Sequence, residues 1–368
     1  MERKLASIQR ISATAPIEGA DKIEVATILG WQVVIAKKDN FKVGDKVVYV
    51  EIDSILPDKP EFEFMRERKF RVKTIKLKGQ VSQGICFPLS ILGKGNFNEN
   101  DDVTELLGIR KYDPQADFER KETERLASID RNRMDKFLKR YSWYRKLVFR
   151  PTRKPFPSFI KKTDEPRIQL FPNYYMKWED LAFDVTEKID GQSGTYFVIP
   201  NPKKGLFQPK WLFGVCSRNF QLVKPDNSSY WTIAKQYDLE KKMIEYCKRR
   251  KEGLIIQGEI IGSKIQGNKY NITGYDFYIF NITSYNKGNT INFTQLDQSF
   301  LAHRFDLKTV PWMTNRFLLI PSMNGMTDYA KGKSEIGDTI REGVVIRNYL
   351  KNISFKVINP DFLLKYQE

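Results

Sequence analysis

The stretch TEKIDGQSGTY, residues 186–196, sets a lysine, Lys188, two positions before an aspartate, Asp190, with Gly191 directly behind it. An amine can attack an electrophilic phosphorus or carbon, but only in its neutral form. An ordinary lysine is neutral in about one molecule in 2,500 at pH 7. A nucleophilic lysine therefore needs a low-dielectric pocket, neighbouring cations or a metal to release its proton. Taken alone, the stretch fits a solvated hairpin tip, a phosphate-binding turn or a nucleophile.

The rest of the inventory narrows the chemistry. One histidine, His303, serves the whole chain, so an HExxH zinc site is excluded, and Ser-His or Cys-His catalysis would rest on that single residue. Cys86, Cys216 and Cys247 are odd in number and far apart, which argues against a disulfide framework or a zinc knuckle. What remains is lysine, carboxylates and a metal held by oxygen ligands.

The elements that must position these groups divide the chain in three. Residues 1–93 read as short strands (KLASIQRI, KIEVATIL, WQVVIAK, KVVYVEI, FRVKTIKL, GICFPL) separated by turn signals, the pattern of a small OB-like β-barrel. Within it Arg66, Arg68, Lys69, Arg71, Lys73, Lys76 and Lys78 interleave with apolar residues. Strand alternation puts Lys69, Arg71 and Lys73 on one face and Lys76 and Lys78 on the other, so a bend near Thr74 is expected to gather them into a phosphate-tracking surface. Residues 94–165 are charge-rich, with Phe137, Tyr141, Tyr144 and Val148 at helical spacing, and predict a helical connector ending at Arg150-Pro151. Residues 166–368 mix strands with one long helix, WTIAKQYDLEKKMIEYCKRRKEG, closed by Gly253. The fold class expected is α+β.

At 368 residues, with 41% hydrophobic and 13% aromatic content, the chain is long enough for two domains and is not disordered. Its net charge of +17, spread along the chain, favours a polyanionic partner such as nucleic acid. No apolar run reaches the ~18 residues of a membrane span, and MERKLASIQRIS lacks a signal peptide's apolar core. These features predict a cytoplasmic or otherwise intracellular protein without a membrane partner.

Beyond Lys188, further residues follow in an order that resembles the covalent nucleotidyltransferases, the ATP-dependent ligases and mRNA capping enzymes. KIDG matches their Lys-x-Asp-Gly motif, and VCSRN, IIQGEIIG, YDFYIFNI, EGVVIRN and SFKVINPDFLLKY are similar to the five that follow. KxDG alone is weak; six motifs in order over roughly 170 residues are specific. Only twelve residues remain after Lys356, whereas DNA ligases and capping enzymes carry an OB domain there. With the barrel-like module upstream, and with FPSFIKKTDEPRIQ and IQGNKY, the chain resembles the Naegleria-type, or fifth, family of ATP-dependent RNA ligases over nearly its whole length.

The resemblance implies an adenylyltransferase domain of antiparallel sheets with flanking helices, and it implies a role for each residue. Lys188 would attack the α-phosphorus of ATP, Lys356 would neutralise charge on that phosphate, and Glu342 would hold Mg2+ or Mn2+, with Glu259 as a second metal contact. Glu259 would also accept a hydrogen bond from the ribose, and Phe280, in competition with Phe277, would stack on adenine. Glu187, Asp190, Gly191, Arg167, Arg218 and Lys365 would line the nucleotide site. Arg218 and Asn219, with Arg68, Lys69, Arg71, Lys73, Lys76 and Lys78 of the barrel, would hold RNA. Many ligases carry a second lysine two residues after the one matched by Lys356; Ile358 stands there, leaving Lys365 as a substitute.

The implied activity is the joining of 5′-phosphate and 3′-hydroxyl RNA ends, in nicked duplexes or broken strands, by a monomer through lysyl-AMP and RNA-adenylate. The competing expectations are a DNA ligase or capping guanylyltransferase, and a non-catalytic nucleic-acid-binding protein.

Overall fold

The computed structural model describes residues 4–113, 141, 153–171, 173–202, 209–223 and 227–366. The helix predicted over residues 119–149 lies outside the described residues, apart from Tyr141.

The N-terminal strands are β1 (Ala6–Arg10), β2 (Ala13–Pro16), β3 (Ile23–Ile28), β4 (Trp31–Ala36), β5 (Lys46–Val50), β6 (Ser54–Ile55), β7 (Thr74–Leu77), β8 (Gln80–Gln83), β9 (Ile85–Pro88) and β10 (Arg110–Lys111). They pair as β1-β5-β9, as the meander β2-β3-β4, and as the pairs β7-β8 and β6-β10. Strand β5 explains why this unit has two cores. Its residues Val47 to Val50 are all fully buried, and alternation sends them to opposite sides. Val48 and Val50 join Leu5, Ala6, Ile8, Phe62 and Phe87, while Val47 and Tyr49 join Ala26, Ile28, Trp31, Val33 and Ile35. The first core also takes in Val103, Leu107 and Ile109, so residues beyond 93 pack with this unit.

One predicted strand is shorter than expected. Of FRVKTIKL only Thr74–Leu77 forms a strand, with Arg71 making a lone bridge to Ile55, because a 3-10 helix over Pro60–Arg68 precedes it and ends with Lys69 and Phe70 in the left-handed region. Pro60 favours a helix start, and Phe62 and Met65, three apart, bury the same face. The hairpin β7-β8 turns through Lys78 and Gly79, both at positive φ, which suits a tight two-residue turn.

The second unit is built on two antiparallel sheets. Its strands are β11 (Arg153–Pro155), β12 (Phe183–Lys188), β13 (Gln192–Pro200), β14 (Trp211–Ser217), β15 (Phe220–Leu222), β16 (Gly253–Gly262), β17 (Tyr275–Asn286), β18 (Asn289–Asn292), β19 (Lys308–Thr309), β20 (Trp312–Phe317), β21 (Gly343–Asn348) and β22 (Ile353–Ile358). The larger sheet runs β11-β15-β14-β13-β16-β17-β18, with β19 parallel to β17; the smaller runs β20-β12-β21-β22. Side chains of the helices Ser229–Gln236, Leu239–Arg250 and Gln295–Arg304 join one face of the larger sheet in a core around Tyr196, Ile256 and Phe277.

The long helix expected from Trp231 to Gly253 is two helices. The chain breaks at Asp238, which adopts φ 49°, a conformation that aspartate tolerates, and the phenol of Tyr237 donates to Asp276 at 2.7 Å. Gly253 is not the cap either. Lys251 takes the left-handed cap position, while Gly253 opens β16, where a Cβ would come 2.7 Å from the Val198 carbonyl.

The two units touch through the hairpin β7-β8 and the C-terminal helix Pro360–Tyr366. Val81 packs with Ile358 and Leu363, and Lys76 Nζ donates to the Leu364 carbonyl at 2.9 Å. Among the described residues no helix is long and apolar enough to cross a membrane.

Candidate active site

Lys188 is the last residue of β12, and the turn Ile189–Gly191 carries the chain from the smaller sheet into β13 of the larger one. The lysine thus sits where the two sheets meet. Gly191 allows the crossing, since a Cβ there would sit 2.4 Å from the Ile260 carbonyl and 3.0 Å from Cγ of Glu259.

Three carboxylates surround the amine. Glu342 directly precedes Gly343, which pairs with Lys188 across the ladder, and Lys188 Nζ donates to Glu342 Oε2 at 2.6 Å. Glu259 projects from β16, beside Ser193 of β13. Asp190 is held twice: its backbone N–H donates to the Tyr270 hydroxyl at 2.8 Å, and its carboxylate pairs with Lys269. The Lys269 ammonium lies 5.1 Å from the Phe362 ring and 5.0 Å from that of Tyr366, so the C-terminal helix backs the pair.

The electrostatics are tightly linked. Burial works to lower the Lys188 amine, yet Glu342, Glu259 and Asp190 together hold it above the ordinary lysine range. Burial pushes Glu259 up to about 8, helped by Glu342 and Asp190 and opposed by Lys188 and Arg218. Burial draws Lys356 down to about 8, with Lys188 and Arg167 adding to the effect and Asp164 and Glu342 opposing it.

Lys356 lies on β22, opposite Val345 of β21. A segment ahead of β12 crosses beside it. The Lys356 backbone N–H donates to the Pro166 carbonyl at 2.8 Å, and its ammonium lies 3.5 Å from Asp164 Oδ1, which also receives Arg218 Nη2 at 2.9 Å. Glu165 pairs with Arg347 at 3.0 Å, and the Arg167 guanidinium stacks 4.9 Å from the Trp31 ring of the N-terminal unit. The expected nucleotide residues Arg167, Arg218 and Lys356 are therefore gathered by one short stretch.

Phe280 and Phe277 have separate environments. Phe277 is fully buried and meets Tyr196 edge-on in the main core. Phe280 is the extra residue of a β-bulge, where the register of β16 against β17 slips between Gln257 and Gly258. The bulge leaves it half-buried, with its carbonyl accepting from Arg347 at 2.5 Å.

Several expected residues are not brought to Lys188. Glu187 alternates to the other face of β12, where Oε2 accepts from the Glu335 N–H at 2.9 Å. Lys365 is exposed, its ammonium 5.1 Å from the ring of its neighbour Tyr366. Ile358, at the position of the absent second lysine, is buried against Val81 and Leu363. Of the barrel cations, Arg71 pairs with Asp53 at 3.1 Å and stacks 3.6 Å from Tyr112, and Arg66 is paired with Asp58 and Glu63. Arg68, Lys69, Lys73 and Lys78 are exposed.

Sequence reasoning missed Asp164, Glu165, Lys269, Tyr270 and Arg347. Their signal was present in TDEPRIQ, IQGNKY and VVIRN, but a paired charge looks like any surface charge until its partner is placed.

Among the described residues no three His, Cys, Asp or Glu side chains converge as a ready-made metal cage. The residues nonetheless suit a hard divalent cation, because Mg2+-like ions are held by one or two carboxylates together with phosphate oxygens and water. Glu259 and Glu342 are such a pair, and the upward push on Glu259 is one that a cation would relieve.

A family model described as RNA ligase matches residues 182–366, and an OB-fold domain model matches residues 5–89, in keeping with the expected N-terminal fold. No curated protein matches. Among solved structures, Naegleria gruberi RNA ligase with PPi is similar at a TM-score of 0.69 and 30% identity, covering 99% of each chain. A point mutant of that ligase with AMP and Mn gives the same TM-score, identity and coverage. Another mutant, with ATP and Mn, gives 0.68 and 29%, covering 98% of this chain and 99% of that one.

Proposed function

The chain belongs to the RNA ligase family, among ATP-dependent enzymes of the Naegleria type, and from that premise we propose how its residues divide the work of joining a 5′-phosphate to a 3′-hydroxyl. The observation that carries the assignment is the setting of Lys188 between two sheets, bonded to Glu342 and flanked by Glu259 and Asp190.

In the first step neutral Lys188 Nζ attacks the α-phosphorus of ATP; the N–P bond forms, the bond to pyrophosphate breaks, and the amine's proton leaves. Glu342 accepts from Nζ at 2.6 Å, a bond that gives way when Glu342 turns to the cation, and the amine's proton passes to water. Lys356, charged and close to the site, balances the charge that grows on the phosphoryl oxygens. Glu259 and Glu342 would hold Mg2+ or Mn2+, which would supply Lewis-acid stabilisation of the phosphate charge when bound. Glu259 also accepts from the ribose, Phe280 on its bulge offers a face to adenine, and Arg167 meets the phosphates. An RNA 5′-phosphate then takes the adenylate from Lys188, and the 3′-hydroxyl displaces AMP.

For the RNA we assign Arg218 and Asn219 beside the site, and Arg68, Lys69, Lys73 and Lys78 on the N-terminal unit, whose cations can track a backbone. Arg71 and Lys76 are left to hold the fold together. On this reading the N-terminal unit runs through residue 113, and the catalytic unit begins near residue 153. The chain acts as a monomer.

The test is sealing of a nicked RNA duplex by the full-length protein with ATP and Mg2+ or Mn2+. A ligated strand with RNA, and far less with nicked DNA, is expected. Binding of the nicked RNA without any joining would favour a non-catalytic role.

A further inference from the structure

The segment ahead of β12 does more than gather cations. One oxygen, Asp164 Oδ1, receives both Arg218 Nη2 at 2.9 Å and Lys356 Nζ at 3.5 Å. A single anionic oxygen bridging two cations is the arrangement a phosphate oxygen would adopt there. The carboxylate is 63% exposed, whereas the Lys356 side chain it covers is 19% exposed, so Asp164 stands at the mouth of the site.

The backbone around it is fixed. The Lys161 carbonyl accepts from Gln257 at 3.1 Å, the Pro166 carbonyl accepts from the Lys356 N–H at 2.8 Å, and Glu165 is bound to Arg347. The Asp164 side chain can therefore swing out while its segment stays in place.

We propose that Asp164 is a specificity-determining residue that occupies a phosphate position on Arg218 and Lys356, so that an incoming phosphate must displace its carboxylate. The inference rests on the ligase reading above. Its consequence is selectivity: an isolated phosphate anion competes poorly with a tethered carboxylate, whereas a phosphate carried by a nucleotide or an RNA end brings other contacts and wins. That phosphate belongs either to ATP or to the RNA, and two assays separate the sources.

The test compares wild type with Asp164→Asn in lysyl-AMP formation from ATP without RNA, and in sealing of a pre-adenylated RNA nick without ATP. An exposed pair of this kind is screened, so KM should fall only about threefold to fivefold, with kcat within about twofold. The assay in which KM falls identifies the phosphate. Asp164→Glu, which keeps the carboxylate, should behave as wild type. In an Arg218→Ala background the gain should shrink, because one of the two released cations is gone.

KM unchanged or raised in both assays would overturn the proposal. So would a gain that persists undiminished with Arg218→Ala, since that is a through-space charge effect. Failure of the ligase reading is seen separately, as a wild-type protein that neither forms the adduct nor seals the nick.

Discussion

Lys188 Nζ and Glu342 Oε2 lie 2.6 Å apart, joined across adjacent strands by the pairing of Lys188 with Gly343. The nucleophile is therefore stored as an ammonium, its amine held above the ordinary range by the carboxylates despite burial. Catalysis requires that this pair be broken. Glu342→Gln removes the charge and keeps the shape, so burial acts unopposed by Glu342 and the Lys188 pKa falls. Amine labelling followed by intact mass should find Lys188 reactive at lower pH in the variant. Adenylylation should nonetheless drop by about 100-fold or more as the cation site is lost, and stability by about 1–3 kcal/mol as the charge-assisted hydrogen bond is weakened. Unchanged labelling would contradict the pairing.

Gly191 is required for space. Its Cβ would press on the Ile260 carbonyl at 2.4 Å and on the Glu259 side chain. Gly191→Ala should destabilise the protein by about 1–3 kcal/mol and slow adduct formation more than Gly267→Ala, where a Cβ meets nothing within 4 Å and only backbone strain at φ 70° is added. Denaturant midpoints together with single-turnover rates check this.

Lys269, in IQGNKY and outside the six ordered motifs, fixes Asp190 and is braced by Phe362 and Tyr366. Lys269→Met keeps the stem and removes the charge. Adduct formation should slow by about tenfold, a loss of roughly 1.4 kcal/mol in the barrier, with Lys269→Arg recovering part of it. An unaffected rate would mean that Asp190 needs no partner.

The pH dependence of stability has a defined sign. Glu259, raised to about 8, keeps a proton in the folded state that the unfolded chain has lost above its ordinary value of 4.5, so stability falls as pH rises between those limits. Lys356, lowered to about 8, has lost a proton that the unfolded chain keeps up to 10.5, so stability rises from pH 8 upward. The two effects meet in a minimum near pH 8. Glu259→Gln should gain on wild type by on the order of 3–4 kcal/mol between pH 5 and pH 8, measured by urea unfolding without nucleotide. Parallel curves for the two proteins would refute it.

The legible parts of this protein were those written in local pattern. A short run between turn signals marked β4, where Trp31, Val33 and Ile35 are buried, and motif order singled out both Lys188 and Glu342, which bond each other. The illegible parts depended on partners far along the chain. Nothing near Asp164 reveals that Arg218 and Lys356 share its oxygen, and nothing near Ile358 reveals Val81, the apolar neighbour that accounts for a buried isoleucine where a lysine was expected. Local propensity also misled: the run from Trp231 to Gly253 reads as one helix because the break at Asp238 is set by tertiary contacts of Tyr237 and Leu239.

The most direct test of the central claim is the intact mass of the protein after incubation with ATP and Mg2+ or Mn2+, followed by peptide mapping, beside Lys188→Ala. The predicted result is one adenylate, mapped to Lys188 and absent from the variant. An adenylate on another residue, or one that survives in Lys188→Ala, would contradict the account.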